Sequence, residues 1–356
     1  MTLSRGAIGN LVNRYRAVLR KCRMMNVFGS LAVAGMLVAG NAGFAGAEEL
    51  SGDISPISLS GDTRNIIGVG DISLRSTEPA LRYLINVSGQ GQLDISMSNG
   101  SPMAVGNADG IYLKDYSDYD QYASSFHVAG SGSSGTGTFS MVGGGKLLGV
   151  CAFLSESKGT LTLSGDITGE AEAVMNGSNG YASFAAAAAG GNLVFGGDRT
   201  TLRAKASTGN NANGAFVKYG GMIDFASKSV LIESKNTDSS SVGINCADGT
   251  VKTSADTDLD IVVEGNKATT GIQLTASSSD VQLAGNLDLT ATQTGQDSFA
   301  SVLGISNDSG KMVVSGPTSL RLATNAPFDA KGITASGKAD MSFLGDVEIA
   351  VTGSAS

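Results

Sequence analysis

Ser309 is flanked by Asp308 and Gly310, a setting that resembles the surroundings of a nucleophilic serine. Such a serine needs a base within hydrogen-bond reach, and that base is normally histidine. The one histidine of the chain, His127, lies far away in the sequence. Asn307 and Gly310 are also typical turn residues. The segment therefore predicts a turn rather than a hydrolase site, and we expect no catalytic residue here.

Asp256, Asp258 and Asp260 begin like a calcium-binding loop. That loop requires Gly at its sixth position, which is Ile261 here, so we interpret the three carboxylates as solvated side chains of a strand. Gly143–Lys146 lacks the Ser or Thr that follows Lys in a phosphate-binding loop. Three Cys and one His leave little room for a zinc site. The sequence predicts no metal and no cofactor.

Two carboxylates, Asp260 and Asp288, recur at equivalent places in successive segments. If those segments stack, they form an exposed ladder with Arg321 and Glu348, in which each pair contributes about 0.2–1 kcal/mol to the register. A facing pair of carboxylates can also perform acid–base chemistry on glycosides. This pair leaves open a polysaccharide-active enzyme as an alternative function.

A repeat positions these residues. Ile244, Ile272, Ile305 and Ile333 each follow a glycine, at intervals of 28, 33 and 28 residues. Phe153, Phe184 and the pair Ala215-Phe216 extend the series towards the N-terminus. Repeats of about 20–50 residues indicate a solenoid, a propeller or an array. We predict that the four isoleucines form a stack in the core.

Each repeat contains three short strands, and the third strand alternates apolar and polar residues. The apolar set comprises Leu259, Ile261, Leu287, Leu289, Leu320, Leu322, Val347 and Ile349. One repeat cannot bury that face alone, whereas stacked coils can, with strands about 4.8 Å apart. The chain has 50 Gly, no Trp and 6% aromatic residues, and Gly suits sharp corners with positive φ. The sequence predicts an all-β, right-handed parallel β-helix with coils of about 28–33 residues.

Residues 1–47 have the features of a helical secretory signal peptide with an extended basic region. Six Lys and Arg residues and no acidic residue precede Glu48, and an apolar run follows at Val27–Val38. A run of this length is shorter than the roughly 20 residues of a spanning helix. Ala45-Gly46-Ala47 forms a small-x-small site, so we expect cleavage there, with Ala45 and Ala47 as its small residues.

Asn13–Cys22 and Asn26–Val38 resemble the extended signal region of Gram-negative autotransporters. The resemblance implies a passenger domain that uses the inner-membrane secretion machinery and passes through the periplasm. It also implies an outer-membrane β-barrel translocator, which is absent from this chain. The expected destination is the outer membrane, the cell surface or the extracellular medium.

The mature chain divides into three segments by composition. We assign 48–111 to an N-terminal cap with irregular first coils, and 147–356 to a regular solenoid that is truncated at its C-terminal end. The segment 112–146 is rich first in Tyr and Asp and then in Gly and Ser, which favours a loop or insertion. Its tyrosines, which offer contact area and hydroxyl groups to a ligand, are Tyr112, Tyr116, Tyr119 and Tyr122.

The charge of the chain after residue 47 bears on its possible partners. Residues after 47 carry 18 basic and 32 acidic side chains, a net charge near −14. Such a chain repels phosphate backbones, so we expect no nucleic acid partner.

Cys151 and Cys246 would lie three coils apart, about 14 Å, which is too far for a disulfide.

These patterns favour a binding protein rather than an enzyme. We expect an adhesin or structural stalk that contacts host cells, matrix or bacterial surface glycans and proteins through loops or a solenoid face. The alternatives are a polysaccharide-active β-helix enzyme and the secreted partner of a two-partner secretion system.

Overall fold

Part of the chain is described by the computed structural model. The described residues are 47–76, 83–88, 92–97, 103–107, 124–129, 138–142, 145–149, 151–173, 182–207, 211–295, 300–325 and 330–353. They contain thirty strands and no helix. Within them there is no helix long and apolar enough to cross a membrane.

The strands wind into a parallel solenoid with three strands per coil, as predicted. The first side is a ten-stranded sheet of β2 (Ile57–Ser60), β4 (Tyr83–Ser88), β7 (Ser124–Ala129), β10 (Cys151–Glu156), β13 (Ala182–Ala189), β16 (Asn211–Lys218), β19 (Ser241–Cys246), β22 (Ala268–Leu274), β25 (Ser301–Asn307) and β28 (Ala330–Ala335).

The other two sides belong to one twenty-stranded sheet. The second side consists of β5 (Gln92–Met97), β8 (Thr138–Val142), β11 (Thr160–Ser164), β14 (Asn192–Gly196), β17 (Gly221–Phe225), β20 (Gly249–Thr253), β23 (Ser279–Leu283), β26 (Lys311–Val314) and β29 (Asp340–Phe343). The third side consists of β6 (Met103–Asn107), β9 (Gly145–Gly149), β12 (Ile167–Ala173), β15 (Arg199–Ala206), β18 (Ser229–Asn236), β21 (Asp258–Gly265), β24 (Asn286–Gln293), β27 (Thr318–Thr324) and β30 (Val347–Gly353). The long β3 (Thr63–Ser76) pairs with β1 (Glu48–Ile54), β5 and β6, and thereby joins these two sides.

The isoleucine column lies in direct register on the first side. Ile244 pairs with Ile272, Ile272 with Ile305, and Ile305 with Ile333. The first three are fully buried, and Ile333 in the last described coil is partly buried. The same exposed end leaves Val347 with 41% of its surface accessible, because no described strand covers β30.

The extension of this column towards the N-terminus differs from the sequence expectation at two residues. Ala186 and Ala215, not Phe184 and Phe216, are in register with Ile244. The reason is volume: Phe195 on the second side stacks on the next coil's Phe225, with 5.6 Å between ring centroids. Alanine in these two coils of the first side offsets the volume of the two rings on the second, because cores are close-packed. Phe153, one coil earlier in the same column, packs edge-on against Phe195 with 5.3 Å between ring centroids.

Glycine precedes each isoleucine for a steric reason. A Cβ atom at Gly243 would overlap the Ile261 side chain and the carbonyl oxygen of Gly271. Equivalent overlaps with the next glycine's carbonyl oxygen occur at Gly214, Gly271 and Gly304. Positive φ occurs at corners between strands, as expected: Gly165 lies between β11 and β12, Gly197 between β14 and β15, and Gly220 between β16 and β17.

Part of the segment assigned to an insertion, 112–146, continues the coils instead. β7 pairs with β4 and β10 on the first side, and β8 pairs with β5 and β11 on the second. β9 likewise pairs with β6 and β12. The Gly and Ser content obscured short alternating patterns such as Phe139-Ser140-Met141, which fit a strand.

Candidate functional site

Acidic side chains form a row on the outer surface of the third side. Asp260 is in register with Asp288, and Ser319 is in register with both Asp288 and Glu348. We call Asp258, Asp260, Asp288, Asp346 and Glu348 the acidic row. Its backbone positions follow from the inward residues, because Leu259 pairs with Leu287 and Leu289 pairs with Leu320.

The predicted ladder is wrong at Arg321. This residue is in register with Thr290, two positions further along β24 than Asp288. It reaches Asp288 diagonally, with 2.6 Å between Nη1 and Oδ1. A ladder with Arg321 beside Asp288 would pair Leu287 with Leu320, whereas the strands pair Leu287 with Thr318, two residues earlier on β27.

The acidic row lines an open groove of about 520 Å³ that spans four coils. Besides the five carboxylates, Asn286, Pro317, Thr318 and Ser319 contribute to its walls. The Nδ2 of Asn286 donates to Asp258 Oδ1 at 2.7 Å. Among the described residues, no set of three or more His, Cys, Asp or Glu is arranged to hold a metal ion.

The environment of Asp260 alters its acidity. Partial burial, followed by repulsion from Asp288 and Asp258, raises the pKa of the Asp260 carboxyl above its ordinary value. Asp288 is held instead by the Arg321 guanidinium. Two neighbouring carboxylates in different environments, one the weaker acid and one paired with a cation, are a combination that acid–base chemistry can use.

The turn at Ser309 is built as predicted. Asn307 is fully buried, its Nδ2 donates to the Gly310 carbonyl at 2.9 Å, and its Oδ1 accepts from the Gly310 N–H at 2.7 Å. His127 lies on β7, whereas Ser309 follows β25, six strands away on the first side. The structure therefore does not bring these two residues together.

The remaining predicted residues are distributed as follows. Ala47 precedes β1, and Ala45 lies outside the described residues. The candidate binding-loop residues also lie outside the described residues: Tyr112, Tyr116, Tyr119 and Tyr122.

Cys246 is a free, buried thiol. Burial raises its pKa to about 11, and its Sγ donates to the Gly249 carbonyl at 3.3 Å. Cys151 lies on β10, three strand spacings from β19, or about 14 Å. That distance agrees with the expectation that these two residues do not form a disulfide.

Sequence reasoning missed a second charged cluster on the third side. Arg203 is in register with Glu170 on one side and Glu233 on the other, and it contacts both. The bond to Glu233 is the main reason that the pKa of Arg203 is raised. Lys235 pairs with Glu264 at 2.8 Å in the next row. Only the coil register reveals these partners, because each pair is about 30 residues apart in the sequence.

Comparison of this chain with protein-family models, curated proteins and solved structures gave no match. The likeness to autotransporters therefore depends on Asn13–Cys22 and Asn26–Val38 alone.

Proposed function

We propose that this protein is an exported, non-catalytic β-solenoid that acts as an adhesin or structural stalk at the cell surface, in the manner of an autotransporter passenger. The observation that supports this proposal is the continuous parallel register of the first side, from β2 to β28. Such stacking produces long surfaces on which side chains repeat about every 4.8 Å. Solenoids use extended surfaces of this kind to bind partners.

The proposal includes a route to the surface. The basic start, the apolar run Val27–Val38 and the small-x-small site support export by the inner-membrane secretion machinery. A separate outer-membrane β-barrel would then translocate the chain. At the surface, the partners of the exported chain are host cells, matrix, or bacterial surface glycans and proteins.

Adhesion tests the binding role directly. Beads coated with the full chain should bind epithelial cells, matrix or bacteria, whereas beads coated with heat-unfolded chain should not. Equal attachment of folded and unfolded coatings would contradict the proposal. For export, residues 1–47 fused to a periplasmic reporter should deliver it, and Ala45→Glu should block processing.

A polysaccharide-active enzyme is the second candidate. The favouring observation is that Asp260 and Asp288 are in register at the groove while the pKa of Asp260 is raised. Strand spacing sets the separation of their Cα atoms near 4.8 Å, and glycoside hydrolysis uses a pair of carboxyl groups.

Substitution of the two carboxylates tests this candidate. Release of reducing ends from a polysaccharide should be abolished by Asp260→Asn and by Asp288→Asn. The matched control is Asp224→Asn on the second side, where the carboxylate pairs with Lys252 at 2.9 Å. Activity that survives both groove substitutions would rule out this site.

A further inference from the structure

The coil that contains β28, β29 and β30 leaves part of its apolar core uncovered. Each of these strands pairs with one other strand in the described part of the chain, so no described strand covers its second edge. Val347, Ile349 and Val351 retain 41%, 44% and 48% of their accessible surface. We call the inward apolar residues of this coil the open end: Ile333, Met341, Phe343, Val347, Ile349 and Val351.

The open end continues columns that are buried in the preceding coil. Ile349 is in register with Leu320, and Met341 is in register with Met312. Leu320 and Met312 are both fully buried, because another coil lies on each side of them. Removal of apolar surface from water is the dominant favourable term in association as in folding. A cover over the open end would therefore be stabilised for the same reason as an inner coil.

The opposite end of the described solenoid is protected against such a cover. Glu48 and Arg64 occupy inward positions, because they are in register with the buried residues Ile66 and Leu93. Their side chains form an ion pair there, with 2.8 Å between Arg64 Nη2 and Glu48 Oε2. Charges at inward positions are one of the devices that keep edge strands from pairing with another chain. We call this end the protected end.

β28, β29 and β30 lack this protection. Their charged residues, Lys331, Asp340 and Glu348, all lie at outward positions. None of these three strands contains a proline, which is another device that blocks an edge. The two ends of the described solenoid therefore differ, since an ion pair interrupts the apolar face of one and nothing interrupts that of the other.

We infer that the open end binds the open end of a second copy of this chain, in a two-fold symmetric dimer. The three uncovered strands surround one apolar centre, so a partner that covers it must present three strand edges around an apolar centre of its own. A single extended peptide would cover one side only, whereas the end of another solenoid covers all three. This pairing goes beyond the surface-binding function and does not depend on it.

The protected end explains why the pairing joins like ends. If the open end bound the protected end of a second copy, the Glu48–Arg64 pair would lose its contact with water, and desolvation of two charges is unfavourable. Head-to-tail contacts would also continue from chain to chain, whereas an isologous contact closes at two chains. Only the pairing of two open ends covers apolar residues with apolar residues.

Sedimentation equilibrium of the full chain over a range of concentrations tests this inference. The expected result is a reversible equilibrium between one chain and two. Val351→Lys and Val347→Lys each place an ammonium group in the open end, twice per symmetric dimer, and each should weaken the dimer by about tenfold or more. The matched controls are Val69→Lys on β3 and Val262→Lys on β21, whose valines have the same exposure of 48% and 41%. Both controls should dimerise like the wild type.

Amide hydrogen exchange of the wild-type chain provides a second measurement. On dilution, exchange in β28, β29 and β30 should become faster as the dimer dissociates. Exchange in β2, at the protected end, should not depend on concentration. Because this measurement needs no substitution, it tests the inference even if a lysine variant does not fold.

Four results would overturn the inference. They are a single chain at every concentration, a mass that grows beyond two chains, equal association of the open-end and control variants, and exchange in β28, β29 and β30 that is independent of concentration. Growth beyond two chains would indicate head-to-tail stacking. Association that survives Val351→Lys and Val347→Lys would place the contact elsewhere on the chain.

Discussion

The two ends of the third side share one backbone register but differ in the charge on their outer surface. Between β12 and β18, one outward row alternates in charge from coil to coil, from Glu170 to Arg203 to Glu233. Between β21 and β30, Asp260, Asp288 and Glu348 follow one another with only Ser319 between them. Because inward residues set the register in both halves, the acidic excess is not a requirement of folding. It is the kind of feature that a ligand or partner can use.

The two regions also differ in what a neighbouring charge does. The raised pKa of Arg203 arises mainly from its hydrogen bond to Glu233, so the pair favours the charged form. The raised pKa of Asp260 arises mainly from burial and then from repulsion by Asp288, so its surroundings disfavour the charged form. The Arg203 cluster favours the charged forms of its members, as does the Arg321–Asp288 pair in the second region, whereas the surroundings of Asp260 disfavour its carboxylate.

Removal of Arg203 should have the largest effect. Arg203→Ala leaves Glu170 and Glu233 two strand spacings apart without the cation between them, and also removes the packing of the arginine stem. We expect a loss of about 1 kcal/mol in stability, measured by denaturant unfolding. Lys228→Ala is the control, because the Lys228–Asp198 pair is largely exposed and should leave the unfolding midpoint unchanged. A larger effect in the control would show that alternating charge does not stabilise this side.

Insertion of a cation into the acidic row should have the opposite, smaller effect. Ser319→Arg places a guanidinium in register between Asp288 and Glu348, beside Arg321, which already binds Asp288. The expected gain is about 0.5 kcal/mol, read from the same unfolding curves. Ser319→Gln, which adds length without charge, should give no gain. Equal stabilisation by both variants would attribute the effect to packing.

How far the sequence predicts this molecule depends on the side considered. The isoleucine column is readable because each isoleucine follows a glycine that close packing requires, so composition and position both mark it. The partners of Arg203 and Arg321 are not readable, because a shift of two residues between coils keeps every side chain on the same face. Hydrophobic alternation cannot distinguish these registers. Core volume does, as Phe195 in the coil of Ala186 and Phe225 in the coil of Ala215 illustrate, and the balance of volume between sides is visible only once the coils are closed.

The pH dependence of Asp260→Asn measures the repulsion in the acidic row. The folded-state pKa of Asp260 lies above its unfolded value, so the wild-type fold loses stability as pH rises through the folded pKa. The variant should therefore be more stable than wild type near neutral pH, and equally stable below the ordinary pKa of aspartate. Asp224→Asn, which removes an ion pair with Lys252, should melt lower near neutral pH. If Asp260→Asn is also less stable than wild type near neutral pH, the Asp260 carboxylate stabilises the fold and repulsion does not dominate in the acidic row.

Salt should separate the two regions without any substitution, and this is the smallest effect expected. An increase to about 0.5 M screens exposed charges, which weakens the attraction of Arg203 for its neighbours and relieves the repulsion between Asp260 and Asp288. Amide hydrogen exchange should accordingly become faster in β15 and slower in β24. The internal control is β22 of the first side, whose outward residues are uncharged and whose exchange should not change. A uniform change across all three strands would mean that salt acts on the whole solenoid rather than on local charge, and the contrast between the two ends would then be structural but not energetic.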